Sequence, residues 1–462
     1  MQMDIKVKQS IMQRIHKSKH LAGLFFLCLG LACVTNSVQV SAKKLTGKIG
    51  DNITWKIEKD VLTLSGKGNM KDCGHKKPLR DKEDYVICED RKYGYNEYYD
   101  EIQEVKEVVV EEGITGIGSH AFEAIGIKKA TIASSVKTIG HCAFKKTNLE
   151  QIIISDSVSF IGEEAFDECH DLKSVQLSKN IKKIPRNAFA SCYSLKEINI
   201  PKKVEFIGRQ AFQDCLWLRK VNYTSDSKLK EIDILAFDGC NIEKMMIPSG
   251  VERIHSDAIN SSHEIIADKN NPYFLSEKGV LFSKDKKTLV CYPNRKTEST
   301  YRIPTGVKTI ERAAFCKNDF LEKLIMPDTV TTVKKYACLA ADHLKTVRFS
   351  KKLKKIEKRA FDCHLISLKL PNSLEYIGEG AFNCMYLSKI VIPKNVKKIG
   401  KEAFKNANNV KQVIVKTKKL KRKIDLFTYA DGDVREQIVI LPKSKKKSYK
   451  KLIPNYYQVK YI

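Results

Sequence analysis

A short motif recurs along most of this chain and constrains its fold more than any other feature. The motif centres on Ala-Phe or a close variant, and successive copies are 21 to 25 residues apart, with a single longer step of 56. The anchor residues are Phe122, Phe144, Phe166, Phe189, Phe212, Phe237, Ile259, Phe315, Cys338, Phe361, Phe382 and Phe404. A unit this short cannot bury its apolar side chains alone, so neighbouring units must stack into an elongated array.

Each unit has two parts, as V-E-F-I-G-R-Q-A-F-Q-D-C-L-W-L-R-K-V-N-Y at 204–223 illustrates. An aliphatic pair precedes Ala-Phe, and Leu-x-x-aliphatic-x-aliphatic follows it. Apolar residues at alternate positions, such as Ile198 and Ile200, predict a short strand. A proline such as Pro201 ends the strand because it lacks a backbone donor. We therefore expect each repeat to form one turn of a coil with parallel strands in register, and twelve such turns to span roughly 60 Å.

These residues resemble the BspA-like leucine-rich repeats, whose unit is similar to V-x-x-I-G-x-x-A-F-x-x-C-x-x-L-x-x-I-x-I-P. The resemblance runs from about Val108 to Val415 in twelve copies. It implies an α/β-type repeat solenoid of mostly short β-strands, a right-handed leucine-rich-repeat coil with a parallel sheet and an N-terminal β-hairpin cap. Members of the family are known mostly as surface adhesins and matrix binders, so the resemblance implies binding and not catalysis.

The first 42 residues have the features of a signal peptide. Five Lys or Arg precede the uncharged run Leu21–Val34, and Val40-Ser41-Ala42 supplies small residues for cleavage. The run has fourteen residues, fewer than the roughly 20 that a transmembrane helix needs. A lipid anchor at Cys33 is the alternative, although the residues before it match the usual lipoprotein signal poorly.

The remaining segments give the expected domain organisation. Residues 43–70 predict an N-terminal hairpin cap with its turn at Lys59-Asp60, and residues 71–104 form a Tyr-rich polar insertion. The solenoid is expected over 105–415, with a hairpin insertion at 263–300 that we interpret as a decorated coil in preference to a domain boundary. Residues 416–462 predict a basic C-terminal cap or tail.

The cysteines favour packing over chemistry. The chain has 14, of which Cys169, Cys192, Cys215 and Cys240 each follow an anchor Phe by three residues. Stacked coils would align these side chains in parallel towards the core, so we predict small buried thiols and not disulfides. Cys73 and Cys88, in the non-repeat segment, are the predicted disulfide candidates.

Catalytic and cofactor signatures are missing from the sequence. A zinc site from Cys73, His75 and Cys88 would have only three ligands and lacks the usual spacing. The sequence contains no phosphate-binding Gly-rich loop, no G-x-S-x-G and no H-E-x-x-H. We expect no enzyme activity, no catalytic residue, no metal and no cofactor.

Charge is distributed very unevenly along the chain. The formal net charge is +29, but residues 43–300 contribute only +2 whereas residues 301–462 contribute +23. A basic surface favours an anionic partner, and an exported chain would not meet the nucleus, so nucleic acid is not expected. The predicted ligand-binding residues are basic outward positions of the strands: Lys129, Lys220, Lys244, Lys323, Arg348, Lys369 and Lys389.

Together these patterns predict a secreted or cell-surface, monomeric binding or adhesion protein without a transmembrane anchor after processing. Its predicted ligand is an anionic macromolecule: a host matrix protein, a glycan or a cell-wall polymer. Two alternatives stay open at this point. One is a structural protein retained in the cell wall by charge without a specific ligand, and the other is a hydrolase with its site in an insertion.

Overall fold

The computed structural model describes residues 45–49, 52–73, 102, 104–255, 257–383, 386–406, 409–421, 438–453 and 458–462. These ranges belong to one compact unit, Lys44–Ile462. The predicted signal peptide and most of the Tyr-rich insertion lie outside the described residues. Within the described ranges, no helix has the length and apolar character needed to cross a membrane.

The described chain begins with an antiparallel meander of three strands. They are β1 (Leu45–Lys48), β2 (Ile53–Glu58) and β3 (Val61–Gly66), and the predicted turn at Lys59 and Asp60 joins the second to the third. Apolar residues alternate along both hairpin strands, so Trp55 and Leu64 face the core while their neighbours face solvent. The third strand pairs in parallel with the first strand of the repeats, and a capping role for this end remains a prediction.

The repeats wind a β-solenoid of about 14 turns, in which most turns supply one strand to each of two sheets. The longer strands, three to six residues each, form the first sheet. They are β5 (Glu107–Val110), β7 (Lys129–Ile132), β9 (Gln151–Ile153), β11 (Ser174–Gln176), β13 (Glu197–Ile200), β15 (Lys220–Tyr223), β17 (Ile242–Ile247), β19 (Ser262–Ala267), β23 (Thr300–Arg302), β25 (Lys323–Ile325), β27 (Thr346–Arg348), β31 (Lys389–Ile392) and β34 (Gln412–Val415). They pair in parallel, in several segments along the coil.

The second sheet consists of short strands, which within the repeats come from the aliphatic pair before Ala-Phe. They are β4 (Gly68–Asn69), β6 (Ile114–Ile117), β8 (Thr138–Ile139), β10 (Phe160–Ile161), β12 (Lys183–Ile184), β14 (Phe206–Ile207), β16 (Glu231–Ile232), β18 (Arg253–Ile254), β24 (Thr309–Ile310), β26 (Thr332–Val333), β28 (Lys355–Ile356), β29 (Tyr376–Ile377) and β32 (Lys398–Ile399). A glycine often follows, because adjacent coils approach closely there. A Cβ on Gly140 would lie 2.5 Å from the backbone nitrogen of Ser119 in the preceding coil.

The anchor Phe side chains stack along the solenoid axis. The rings of Phe144, Phe166, Phe189, Phe212 and Phe237 are fully buried, with successive centroids 5.2 to 5.5 Å apart. The backbone at this turn also links the coils, since each of these Phe N–H groups donates to the carbonyl of the Ala before the next anchor residue at 2.8 or 2.9 Å. Two later turns form the short parallel pair β30 (Phe382–Asn383) and β33 (Phe404–Lys405).

Left-handed backbone conformations flank the Phe in most turns. The residue two before the Phe and the residue two after it have positive φ, as in Cys142 (52°) and Lys146 (59°) around Phe144. The same pair recurs in the next turn as Glu164 and Glu168, both at 58°. These residues reverse the chain on each side of the buried ring. The left-handed conformation has a conformational energy cost for them that glycine would avoid.

The long step in the period contains an additional coil with a hairpin. Strands β20 (Phe274–Glu277), β21 (Val280–Ser283) and β22 (Thr288–Cys291) pair antiparallel in order, and the last of them pairs in parallel with the second sheet at Thr309. Tyr292 then takes the place of an anchor Phe, because it is fully buried, lies 5.1 Å from Phe315, and donates its N–H to Ala314. The sequence predicts a decorated coil here, but it does not identify Tyr292 as an anchor residue.

The C-terminal segment extends the first sheet. Strands β35 (Ile438–Leu441) and β36 (Gln458–Tyr461) continue the parallel pairing after Val415. Buried Tyr449 accepts from the N–H of Leu420 and donates its hydroxyl to the carbonyl of Thr417. Residues 422–437, which include part of the first basic run, lie outside the described residues.

The structure agrees with a solenoid of short, mostly parallel strands and gives no support to the α/β designation. The helical residues of the described ranges are Ile102, a 3-10 turn at Lys443–Lys445 and the five-residue helix α1 (Lys446–Lys450). The physical reason is the length of the repeat: the residues around Ala-Phe are needed for two tight reversals and leave no room for a helix. The right-handed sense of the coil remains a prediction.

Candidate binding surface

The outward side chains of the first sheet form the strand face, and the structure places most of the predicted residues on it. Strands alternate exposed and buried positions, as in Glu197–Ile200 and Lys220–Tyr223. All seven basic residues predicted from the sequence are exposed. Six of them lie within or at the end of a strand, and the exception is Lys369.

In the N-terminal part of the strand face, each predicted lysine is in register with a glutamate on a neighbouring strand. Lys129 is in register with Glu107, and its Nζ lies 2.7 Å from the carboxylate. Lys220 is in register with Glu197, and Lys244 with Glu264. These acidic partners offset the positive charge, as the net charge of only +2 over residues 43–300 suggests.

The C-terminal part of the strand face has basic residues without acidic partners in register. Lys323 lies between Thr300 and Thr346, Arg348 pairs with Ile325, and Lys389 pairs with Gln412. In the described part of the chain, these three residues form no ion pair within 4 Å, and the same is true of Lys220 and Lys244, so the two parts differ in the residues that lie in register. Arg302, which the sequence-based prediction omitted, is also exposed on this face. Positive charge is therefore uncompensated here.

Two details of the predicted face were wrong. Lys369 is exposed, but its segment forms no strand. Ile325, whose place in the repeat is an outward position in other coils, is only 6% exposed. Arg302 and Arg348 flank it in register, and their long aliphatic stems leave little solvent access.

Further lysines lie on the second sheet of the same half. The ring of Tyr376 is in register with Lys355 and Lys398, whose Nζ atoms lie 5.7 and 5.5 Å from its centroid. Some charge here is balanced, since the hydrogen bond from Lys397 lowers the pKa of Glu375. Basic residues of the C-terminal half thus lie on both sheets, and those on the strand face have no acidic partner in register among the described strands.

The ladder cysteines, which follow an anchor Phe by three residues, are buried and form no disulfide, as predicted. They are Cys169, Cys192, Cys215 and Cys240. Their Sγ–H groups donate to the carbonyl of the Phe in the preceding coil, for example from Cys192 to Phe166 at 3.2 Å. Burial raises the pKa of the Cys192 thiol well above its usual range. Cys73 is disulfide-bonded, whereas Cys88 lies outside the described residues, so the predicted pairing of these two remains a prediction.

An exposed aromatic pair was not predicted. The rings of His170 and Tyr193, which directly follow equivalent cysteines in adjacent coils, stack in parallel at 4.4 Å. In the next coil Leu216 takes this position, and Trp217 beside it is 56% exposed. The signal was present in the sequence, because His170 and Tyr193 each follow the cysteine of their repeat and the repeat aligns them on one edge of the solenoid.

A coil of this period, with stacked Phe turns and a parallel strand face, defines a leucine-rich-repeat-type solenoid. The model of the BspA-type leucine-rich repeat region (6 copies) matches residues 91–219, 137–266 and 292–430, which together make up more than half of the chain. The chain therefore belongs to the BspA-type leucine-rich repeat family. A search of curated protein sequences finds no match.

Several solved structures are similar to this chain. The pneumococcal vaccine antigen PcpA has 20% sequence identity and a TM-score of 0.51, over 91% of this chain and 99% of that one. A leucine-rich cell surface protein from Faecalibacterium prausnitzii has 19% identity and a TM-score of 0.48, over 84% and 96%. A leucine-rich repeat protein from Bacteroides ovatus has 21% identity and a TM-score of 0.46, over 90% and 99%. At these identities the likeness to PcpA concerns the fold alone.

Proposed function

We propose that this protein is exported and acts at a cell surface as a non-enzymatic binding protein for an anionic macromolecule. The observation that carries the proposal is the register of charges on the strand face. Lysines of the N-terminal part lie next to carboxylates, whereas Lys323, Arg348 and Lys389 do not. A long-range attraction for polyanions is thus concentrated in the C-terminal half.

The spacing of the basic residues suits a polymer with repeating negative charge. Neighbouring strands of a parallel sheet are about 4.8 Å apart. Lys323 and Arg348 lie on neighbouring strands and Lys389 lies on a later one, so the basic side chains are distributed along the strand face. A sulfated glycan or a phosphate-rich wall polymer presents charge at comparable repeat distances along a flexible chain. We therefore infer an anionic polysaccharide or wall polymer as the ligand class, in preference to a compact small molecule.

The proposed location and the absence of catalysis have separate support. Export is supported by the basic segment and apolar run of residues 1–42. Surface binding is supported by membership of a family whose members act mostly as adhesins. A non-catalytic role is supported by the sequence, which lacks the common nucleophile and phosphate-binding motifs.

A charge-reversal experiment tests the proposal with a matched control. The full chain would carry Lys323→Glu, Arg348→Glu and Lys389→Glu, and its affinity for heparin would be measured against salt concentration. We expect weaker binding and a salt dependence reduced by about one unit of log–log slope for each lost contact.

The control carries Lys129→Glu, Lys220→Glu and Lys244→Glu, which change the net charge equally on the N-terminal part of the same face. The proposal expects a clearly smaller loss of affinity for this control. Equal losses would mean that only net charge matters, and wild-type binding that is insensitive to salt would exclude an electrostatic site.

A further inference from the structure

Three side chains with metal-binding donors meet at the Phe turns of two adjacent coils. Ser119-His120-Ala121-Phe122 and His141-Cys142-Ala143-Phe144 are consecutive copies of one turn. The N–H of His120 donates to the carbonyl of His141 at 2.7 Å, which holds the two turns together. One ligand atom from each of His120, His141 and Cys142 lies within 4.8 Å of the other two.

The backbone conformation explains why these side chains converge. His120 and Cys142 occupy the equivalent position two residues before the Phe, with φ of 59° and 52°. A residue in this conformation directs its side chain differently from its neighbours in the strand, and stacking repeats that direction in the next coil. His141 precedes Cys142, and its Nε2 lies 3.3 Å from the sulfur.

Hydrogen bonds fix the ring of His141 for coordination. Its Nδ1 lies 2.6 Å from the carbonyl oxygen of Glu163, which can only accept, so Nδ1 must be the donor. In the neutral ring Nε2 then carries the lone pair, and this is the atom that faces Cys142. Metal-bound histidines typically have the same second contact to a carbonyl or carboxylate.

His120 has the corresponding contact to a carboxylate. Its Nδ1 lies 2.5 Å from Oε2 of Glu123, a side chain that is only 7% exposed. Its ring meets that of His141 edge to face, with centroids 5.2 Å apart. Both imidazoles are therefore oriented by an acceptor at Nδ1, and the two orienting groups come from different coils.

We propose that His120, His141 and Cys142 form a zinc-binding site. Two imidazole nitrogens and one thiolate are donors that select zinc over magnesium or calcium, which prefer oxygen ligands. Glu164 lies near the sulfur, but Lys145 and Arg186 hold its carboxylate at 2.6 and 2.8 Å. The fourth position is therefore assigned to solvent, which reaches the site past the partly exposed histidines.

Cobalt spectroscopy of the full chain tests this site. The reduced protein would be freed of metal with a chelator and titrated with Co²⁺, which gives a near-ultraviolet charge-transfer band when it binds thiolate. We expect saturation at one Co²⁺ per chain and loss of the band when Zn²⁺ displaces it. His141→Asn should weaken the affinity by more than about tenfold, and Cys142→Ser should abolish the band.

Cys192→Ser is the matched control, since it removes a buried thiol elsewhere in the coil and should leave the band unchanged. A second measurement covers folding defects: Zn²⁺ should raise the melting temperature of the wild type but not that of His141→Asn, whose side chain is partly exposed. A wild type without the band, or a Cys142→Ser variant that retains it, would overturn the proposal.

Discussion

The Phe ladder makes a quantitative prediction about stability. Phe189 is fully buried, and its ring centroid lies 5.2 Å from that of Phe166 and 5.5 Å from that of Phe212. Phe189→Ala removes a ring in contact with both neighbours and leaves a cavity between two coils that backbone hydrogen bonds hold in place. We expect a loss of about 3 to 5 kcal/mol in the free energy of unfolding.

The same substitution at the surface provides the control. Phe160 belongs to the short strand Phe160–Ile161 and is 57% exposed, so Phe160→Ala creates no internal cavity and should change stability by less than about 1 kcal/mol. Urea unfolding followed by far-ultraviolet circular dichroism would give both values. Because repeat arrays can unfold in stages, midpoints and slopes must be compared together. Equal losses for the two variants would refute the inward assignment of the anchor Phe.

Three further predictions concern single coils. Cys338 occupies an anchor position, and Phe349 of the same coil packs edge to face on Phe361 at 5.3 Å. Cys338→Phe should therefore destabilise the protein by about 1 to 3 kcal/mol through overpacking. Phe349→Leu should restore stability to this variant in a double-mutant cycle measured by urea unfolding. Lys146 is exposed with φ of 59°, so Lys146→Gly should stabilise by about 0.5 kcal/mol, whereas Lys137→Gly, at negative φ, should destabilise. Hydrogen bonds from the backbone of Lys287 and from Ser283 lower the pKa of Asp285 from 3.8 to about 2. The resulting stability is complete above the unfolded pKa and is lost as the pH falls towards 2, so the melting temperatures of the wild type and Asp285→Asn should converge over that interval.

The fold was largely predictable because the period of about 22 residues shows which positions of each repeat hold buried side chains. Each Ala-Phe dipeptide identifies a turn, and each alternating segment after it identifies a strand. Tyr292 was missed because Cys-Tyr replaces Ala-Phe there, although its distance of 23 residues from Phe315 is an ordinary period. A search by spacing in place of residue identity would have found it.

The candidate sites were less predictable, since both depend on register between coils. The sequence gives the number of lysines, but only the pairing of Lys129 with Glu107 and of Lys389 with Gln412 reveals which of them are compensated. The zinc ligands escaped notice for a related reason. His120 and Cys142 are 22 residues apart, a separation that becomes a contact only when the chain winds into a coil.

The hydrogen bonds at the Phe turn affect how the number of repeats in this solenoid can change during evolution. From Phe122 to Phe237, each turn bonds to the next through the same Phe-to-Ala contact, so recombination that removes or duplicates one whole repeat recreates an equivalent junction. The hairpin coil lacks this interchangeability. Arg312 forms an ion pair with Asp257 and the amide of Asn260 reaches the carbonyl of Ala313, contacts that bypass the Tyr292 turn. The same Phe-to-Ala contact recurs after the hairpin, for example from Phe361 to Ala381, so unequal crossing-over would adjust the number of coils on either side and leave the central coil unchanged.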